Sequence, residues 1–447
     1  MRDAPLRKTR LYAFNFAWLI GDTVLANLFG LLVLAVLARY LGPEEYGSYA
    51  YVFSIAALFS IAGHMGLEGL LTRELVKNPR SHSTILGTAL ALRFIGFFVG
   101  ACLCMVYAFA VPLHSEVELY LFVAASLSIV FSPLPLVIEN WFGSRVEARR
   151  SAPVKMFANV IGGTLRILCV VAGLGVVAVG FAQAFTVIFT GVLLFLVFIR
   201  NGGPTIVTWK YSSSLARQML SEGWMIFVGA IFVIIYLKID LAMLRWLVGG
   251  DEVGVYAVAS RLSEMAYFLP ISMAATLFPR LIDLREHSLE LFNARLQGVF
   301  YILALAAYLI ILSVFLVGPF VVPLIFGKAF TGSIAILQVH MLSMLFVFMF
   351  QAFSRWMIIE KFSLFSVYSQ GAGALSNVLL NLLLIPKYGG LGAAYATLLS
   401  YVVATYFALL FTRKTQHIFM MMTRALIMPW KGVPIVYEMF PKMSGPK

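Results

Sequence analysis

The chain has 447 residues, of which 61% are hydrophobic and only 12% charged, and its formal net charge is +13. A soluble domain runs nearer 25% charged, and no single soluble core holds this many apolar stretches of about 20 residues. A soluble enzyme is thereby excluded, and so is a porin-like barrel, because the stretches are too long and do not alternate.

Twelve spans are expected. The first six cover residues of about 12–38, 46–66, 85–111, 118–142, 154–173 and 176–199. The second six cover about 220–247, 254–277, 296–317, 333–357, 363–385 and 391–412. Backbone in lipid must satisfy its own hydrogen bonds, so each stretch is expected to be a helix. Leu11 to Leu37 is too long for the core of a cleavable signal. Residues 413–447 form a basic, Met-rich tail whose "HIFMMMTRALIMPW" stretch suits an amphipathic interfacial helix. Cys102, Cys104 and Cys169 all fall inside apolar segments and read as packing residues rather than as a disulfide or metal framework. The six histidines, His64, His82, His114, His287, His340 and His417, are scattered and suggest no metal cluster.

The positive charges set the orientation. With both termini on the inner side, the inside segments hold 25 of the 33 lysines and arginines. Arg2, Arg7, Lys8 and Arg10 precede the first span, and Arg145, Arg149, Arg150 and Lys155 mark one inside loop. The outside loops hold only Arg39, Arg245, Lys328 and Lys387. Such asymmetry is the positive-inside signature, and it places both termini in the cytoplasm. It also accounts for the net charge without nucleic acid, because the basic residues face anionic lipid.

The two halves repeat one pattern. Arg39, Tyr40 and Leu41 correspond to Arg245, Trp246 and Leu247, and Trp18 corresponds to Trp224 at the same offset. After one inserted residue, Glu44-Glu45 corresponds to Asp251-Glu252, Gly47 to Gly254, and Tyr49-Ala50 to Tyr256-Ala257. Gly42 can end one helix and Pro43 begin the next, leaving the paired acids in a first helical turn where the dipole favours them. Six spans separate equivalent points, so the halves share one orientation, a known transporter plan. The expected organisation is an N-terminal lobe over 1–199, a cytoplasmic linker over 200–218, a C-terminal lobe over 219–412 and a basic cytoplasmic tail over 413–447.

Three segments carry a family resemblance. They are "LARYLGPEEYGSYAYVFSIAALFSIAGHMGLEGLLTRELVKN", "IDLAMLRWLVGGDEVGVYAVASRLSE" and "NLLLIPKYGGLGAAYATLLSYVV". The chain resembles the polysaccharide flippases of the multidrug/oligosaccharidyl-lipid/polysaccharide exporter superfamily, across about residues 11–412, with the O-antigen and capsule flippases as the nearest branch. The resemblance implies an all-α polytopic fold of about twelve transmembrane helices, in two six-helix lobes around a central cavity (MATE-like). It implies transport of undecaprenyl-diphosphate-linked oligosaccharide across the bacterial inner membrane by alternating access. Partners implied are that lipid-linked oligosaccharide, membrane lipids, and polymerase and chain-length proteins of the same pathway. No cofactor is implied, and coupling to protons, Na+ or membrane potential stays open. Twelve spans argue against the lipid II flippases, which usually have fourteen.

Ionisable groups at membrane depth are costly, so each is a site candidate. The cations are Arg93, Arg166, Lys238 and Arg261. They either line a cavity that receives diphosphate, or snorkel and pair between helices. Asn159, Gly162, Gly163 and Arg166 share one helical face. Lys238 and Asp240 are two residues apart and point to different sides. Arg261 and Glu264, three apart, are placed to pair. Asp22, which shares a face with Asn15, Asp240 and Glu264 are candidates for ion coupling or for charge balance. Further polar positions are Asn159, Tyr256, Ser260, His340, Ser343, Gln351, Gln370, Asn377 and Asn381, which either line a cavity or bond helix to helix.

Two other functions compete with this one. A multidrug or small-solute exporter of the same superfamily would favour an acid-rich pocket for cationic drugs. A membrane polysaccharide polymerase or ligase would present a large outside loop, and the outside loops here are short. No G-x-S-x-G or H-E-x-x-H pattern occurs.

Overall fold

A computed structural model describes the backbone of residues 3–111 and 115–439, and the side chains of these except 3–17, 19–20, 275–280, 282–283, 363 and 436–439. The protein is an all-α polytopic membrane protein, and the described residues contain no strand. Nine helical stretches among them are long and apolar enough to cross a membrane. The helices are α1 (Asp3–His64), α2 (Leu67–Lys77), α3 (His82–Ala110), α4 (Glu116–Phe131), α5 (Pro133–Ser144), α6 (Ala148–Val171), α7 (Gly175–Arg200) and α8 (Ser213–Leu247). They continue as α9 (Gly250–Met265), α10 (Phe268–His287), α11 (Leu289–Phe326), α12 (Ser333–Ile359), α13 (Ser363–Thr405), α14 (Arg413–Ile427) and α15 (Gly432–Met439).

Two of the nine stretches are pairs of spans joined at a glycine. In α1 the backbone leaves the helix at Gly42 (φ 74°, ψ 175°), immediately before Pro43. In α13 it leaves the helix at Gly389 (φ 56°, ψ −134°). The repeat is visible in the same backbone terms: Gly249, between α8 and α9, has φ 127° and ψ −179°. Positive φ with extended ψ is essentially open to glycine alone, so Gly42 and Gly249 set the same turn in each half. The paired acids follow as the sequence suggests, with Asp251 and Glu252 in the first turn of α9.

The expected eighth span, 254–277, is not continuous. It is divided between α9 and α10, which meet at Ala266 and Tyr267. The 16 residues of α9 carry Asp251, Glu252, Arg261 and Glu264, too much charge for a plain apolar span.

The chain forms two compact units, residues 1–242 and 243–447, with the boundary inside α8. In the N-terminal unit, small residues set the helix spacing. A Cβ on Gly96 would lie 2.3 Å from the carbonyl oxygen of Ala62, and one on Gly100 would lie 2.5 Å from that of Phe59. The Gly-x-x-x-Gly run of α3 therefore seats α1. At one end of this unit an apolar cluster joins Leu67, Leu71, Leu86, Trp141, Phe142 and Phe198. Residues 200–212 strap across it: Trp209 packs edge-on to Phe198, and the Ser212 amide donates to Thr88 Oγ1 at 3.0 Å. The start of α8 docks on the same end through an ion pair of Arg73 with Glu222.

In the C-terminal unit, α14 and α15 fold back along α11. Gln297 Nε2 donates to the Met421 carbonyl and the Tyr308 hydroxyl to that of Leu426, each at 3.0 Å. Helix α14 is amphipathic: Thr415, Ile418, Met422 and Ala425 are buried, while Arg413, Met420, Arg424 and Ile427 are exposed.

Candidate functional site

The N-terminal unit contains a cavity of about 320 Å³. Its wall is contributed by α1 (Ser60, His64), α3 (Phe97), α5 (Pro135, Leu136), α6 (Asn159) and α7 (Gln183, Thr186, Thr190), with Ser132 at the start of α5. The hydroxyls here spend their protons on their own helices. Thr186 Oγ1 donates to the Ala182 carbonyl and Thr190 Oγ1 to that of Thr186, both at 2.7 Å. Their lone pairs stay available as acceptors, beside the amides of Asn159 and Gln183 and the His64 imidazole.

Arg93 stands behind this wall. It lies one helical turn before Phe97 on α3, is 0% exposed, and none of Nε, Nη1 and Nη2 has a hydrogen-bond partner. Glu68 and Glu139 are the carboxylates whose fields reach it. A buried guanidinium with five idle donors is among the costliest arrangements a helix bundle can hold. Glu139 links it to a second charged group. Lys155 on α6 sits 3.0 Å from Asp22 Oδ2 on α1 and also pairs with Glu139 on α5. The cluster extends through Thr72 Oγ1, which donates to Asn140 Oδ1 at 3.1 Å, and through His64 Nδ1, 3.3 Å from Glu68 Oε1.

The sequence-selected residues divide among several places. Asn159 lines this cavity, Asp22 pairs with Lys155 one turn before it on α6, and Arg93 lies one turn from the lining residue Phe97. Lys155, read from the sequence as a loop marker, belongs to α6 and is half-buried. Gly162 and Gly163 serve packing, since a Cβ on them would strike Thr186 at 2.0 Å and Phe29 at 2.3 Å respectively. Arg166 is half-buried, with Nε 3.3 Å from the Gly162 carbonyl of its own helix. Lys238 is half-buried, and its backbone carbonyl accepts from Ser54 Oγ at 2.7 Å, whereas Asp240 is 2% exposed. The side chain of Asn15 and the whole of His114 lie outside the described residues.

The C-terminal unit holds the others. Arg261 is an exposed residue that pairs with Glu264 at 3.4 Å, as the three-residue spacing anticipates. Ser260 Oγ donates to the Ala257 carbonyl at 3.2 Å. Tyr256 is buried, with its hydroxyl 3.5 Å from Thr397 Oγ1. Asn381 Nδ2 donates to Asn377 Oδ1 at 3.1 Å, and both residues are fully buried. Gln370 is buried and Gln351 half-buried.

Sequence reasoning did not select His64, Gln183, Thr186 and Thr190 for the cavity. Their signal was present as helical spacing: Gln183, Thr186 and Thr190 fall on one face of α7, and Ser60 and His64 on one face of α1.

A family described as "Polysaccharide biosynthesis protein" matches residues 13–285. The chain belongs to this family. Among curated protein sequences none matches the chain. Among solved structures, the lipid II flippase MurJ in its inward closed conformation aligns over 93% of this chain and 92% of its own, with a TM-score of 0.73 and 16% identity. An inward-facing multidrug resistance MATE transporter of the MOP superfamily aligns over 91% of this chain and 96% of its own, with a TM-score of 0.68 and 16% identity. This polysaccharide biosynthesis family member therefore has the fold of MOP-superfamily flippases and exporters.

Proposed function

We propose that the protein is a flippase that carries undecaprenyl-diphosphate-linked oligosaccharide from the cytoplasmic to the outer face of the bacterial inner membrane, for assembly of O-antigen, capsule or exopolysaccharide. The observation that carries this reading is Arg93, fully buried with a full set of unpartnered donors one helical turn from Phe97, which lines the cavity of the N-terminal unit. A structural arginine would have been given acceptors. A guanidinium held idle is matched to an anion that arrives and leaves, and its fork fits two phosphate oxygens. The hydroxyl, amide and imidazole groups of the cavity suit a sugar head group. A diphosphate cannot cross hydrocarbon unaided, so a cation on its path lowers the barrier. Alternating access then moves the head group while the polyprenyl chain stays in lipid. Membership of a polysaccharide biosynthesis family supports this cargo over a drug.

The test is genetic and biochemical. Deleting the gene should remove surface polysaccharide and cause lipid-linked oligosaccharide to accumulate on the cytoplasmic side. Complementation with wild type should restore export, and complementation with Arg93→Met should not, at equal protein level in the membrane. Normal export by Arg93→Met would remove Arg93 from the transport path. A deletion that changes drug resistance and leaves polysaccharide intact would favour the exporter function instead.

A further inference from the structure

The C-terminal unit buries a titratable side chain to which the flippase reading gives no task. His340 lies on α12, two turns from Ser333. It is 4% exposed, and neither Nδ1 nor Nε2 has a hydrogen-bond partner. Its ring is 5.2 Å from that of Tyr256 on α9, whose hydroxyl meets Thr397 on α13. One turn along α12, Ser343 Oγ is also fully buried and without a partner. Two contacts bracket this level of α13: the Phe353 and Phe365 rings at 6.0 Å, and Ile336 beside Gly390. Between them α13 carries the buried Asn377–Asn381 pair, in which Asn377 Nδ2 has no acceptor. Between these two contacts, buried neutral polar groups therefore lie on both α12 and α13.

Two carboxylates belong to the surroundings, both on α9. The field of Glu264 reaches the ring. Glu252, one turn before Tyr256, accepts a hydrogen bond from the Gly390 amide at 2.9 Å. Among the described residues, α10, α11 and α13 bring no charged group whose field reaches His340.

A neutral imidazole always carries one N–H donor and one bare nitrogen. Burying both unpartnered is costly, and burying the cation would be costlier still. The ring is therefore neutral in this conformation. Any conformation that admits water, or brings a carboxylate to the ring, binds a proton more tightly. A ligand that prefers one of two conformations shifts their balance by that preference. Of the acids that the sequence offers for coupling, Asp22 already has Lys155 at 3.0 Å and Glu264 has Arg261 at 3.4 Å, so both fit charge balance.

We propose that His340 is a proton-binding site whose protonation selects a second conformation of the C-terminal unit, and that the proton is the coupling ion of transport. The coupling role rests on the flippase reading; the proton site does not.

The proton site is tested on the full-length protein in nanodiscs, with 13C-labelled histidine and fluorinated tyrosine. The His340 signal is assigned by its loss in His340→Gln, and the Tyr256 signal by its loss in Tyr256→Phe. Lowering the pH from about 7.5 to about 5 should convert the His340 signal from neutral to protonated, with the Tyr256 signal moving in step. The Tyr256 movement should vanish in His340→Gln and in His340→Leu, of which the first keeps polarity and the second fills the space without it. A His340 signal that stays neutral, or a Tyr256 signal that still moves in both variants, overturns the proton site. Coupling is tested in vesicles loaded with lipid-linked oligosaccharide. An outside-acid gradient of one unit should raise flipping by up to about tenfold, the limit for a single proton, and leave His340→Gln unresponsive. Equal responses of wild type and variant would overturn the coupling role. If no flipping of this cargo occurs, the flippase reading fails, and the titration of His340 still decides the proton site.

Discussion

Lys155 Nζ lies 3.0 Å from Asp22 Oδ2 and ties α6 to α1, while its pair with Glu139 ties in α5. One ammonium thus serves two carboxylates at the flank of the cavity. Removing one partner of a fully buried pair costs about 3–5 kcal/mol, and exposed pairs are worth far less. The Lys155 side chain is 22% exposed and that of Glu139 40%. Lys155→Ala should therefore cost about 1–2 kcal/mol, read as a lower Tm in detergent. Asp22→Asn should cost less, because Glu139 still answers the lysine. The two changes combined should cost less than their sum, since both act on one pair. A Tm of Lys155→Ala equal to wild type would contradict this role.

Arg93 should separate stability from function. Replacing buried ionic groups by apolar ones of similar volume is often neutral or stabilising by about 1–4 kcal/mol. Arg93→Met should accordingly fold at least as well as wild type and lose export. Arg93→Lys keeps the charge but not the planar fork, and should retain partial export. The paired measurements are Tm and surface polysaccharide. A large loss of Tm in Arg93→Met would make the residue structural.

Glu252 Oε2 accepts from the Gly390 amide at 2.9 Å, which joins the first turn of α9 to the break in α13. A hydrogen bond to a charged group contributes about 1.5–3 kcal/mol. Glu252→Ala should cost that amount in thermal unfolding, and Glu252→Gln about half, because the amide oxygen still accepts without charge. Asp251 is exposed, and Asp251→Ala should leave Tm nearly unchanged.

Glu360, between α12 and α13, gives the unit an acid-sensitive contact. Arg285 Nε donates to Glu360 Oε1 at 2.6 Å, and this bond holds the carboxyl below the usual range. A carboxyl whose pKa is depressed on folding stabilises fully above its unfolded value of about 4.3 and loses that contribution as pH falls through the folded value. Wild-type Tm should therefore fall on acidification below about pH 4.5, and Glu360→Gln should show a shallower fall. Equal slopes would mean that the pair is already open in solution.

Much of the fold was legible in the residues. Apolar length gave the spans, and Gly42-Pro43 marked the break that the backbone takes with φ 74°. The repeat placed an equivalent turn in the second half, and Gly249 takes it with φ 127°. These are local events, governed by the chain's own sterics and hydrogen bonds. The divided span of α9 and α10 was less legible, because a hydropathy window takes no account of Pro270, which cannot donate to the Ala266 carbonyl four residues before it.

The site was legible only as residue types. The sequence by itself determined a membrane protein of repeated halves with cations and acids at depth, since insertion depends on local hydrophobicity and on charge near each span. It showed Arg93 and Asp22 as costly residues but not which neighbours they have. Tertiary structure alone decided that Lys155 answers Asp22, that no hydrogen-bond partner answers Arg93, and that His340 is buried beside Tyr256. Each of these depends on helices far apart in sequence meeting at one depth and one rotation, and a single helix does not encode the rotation of its neighbour.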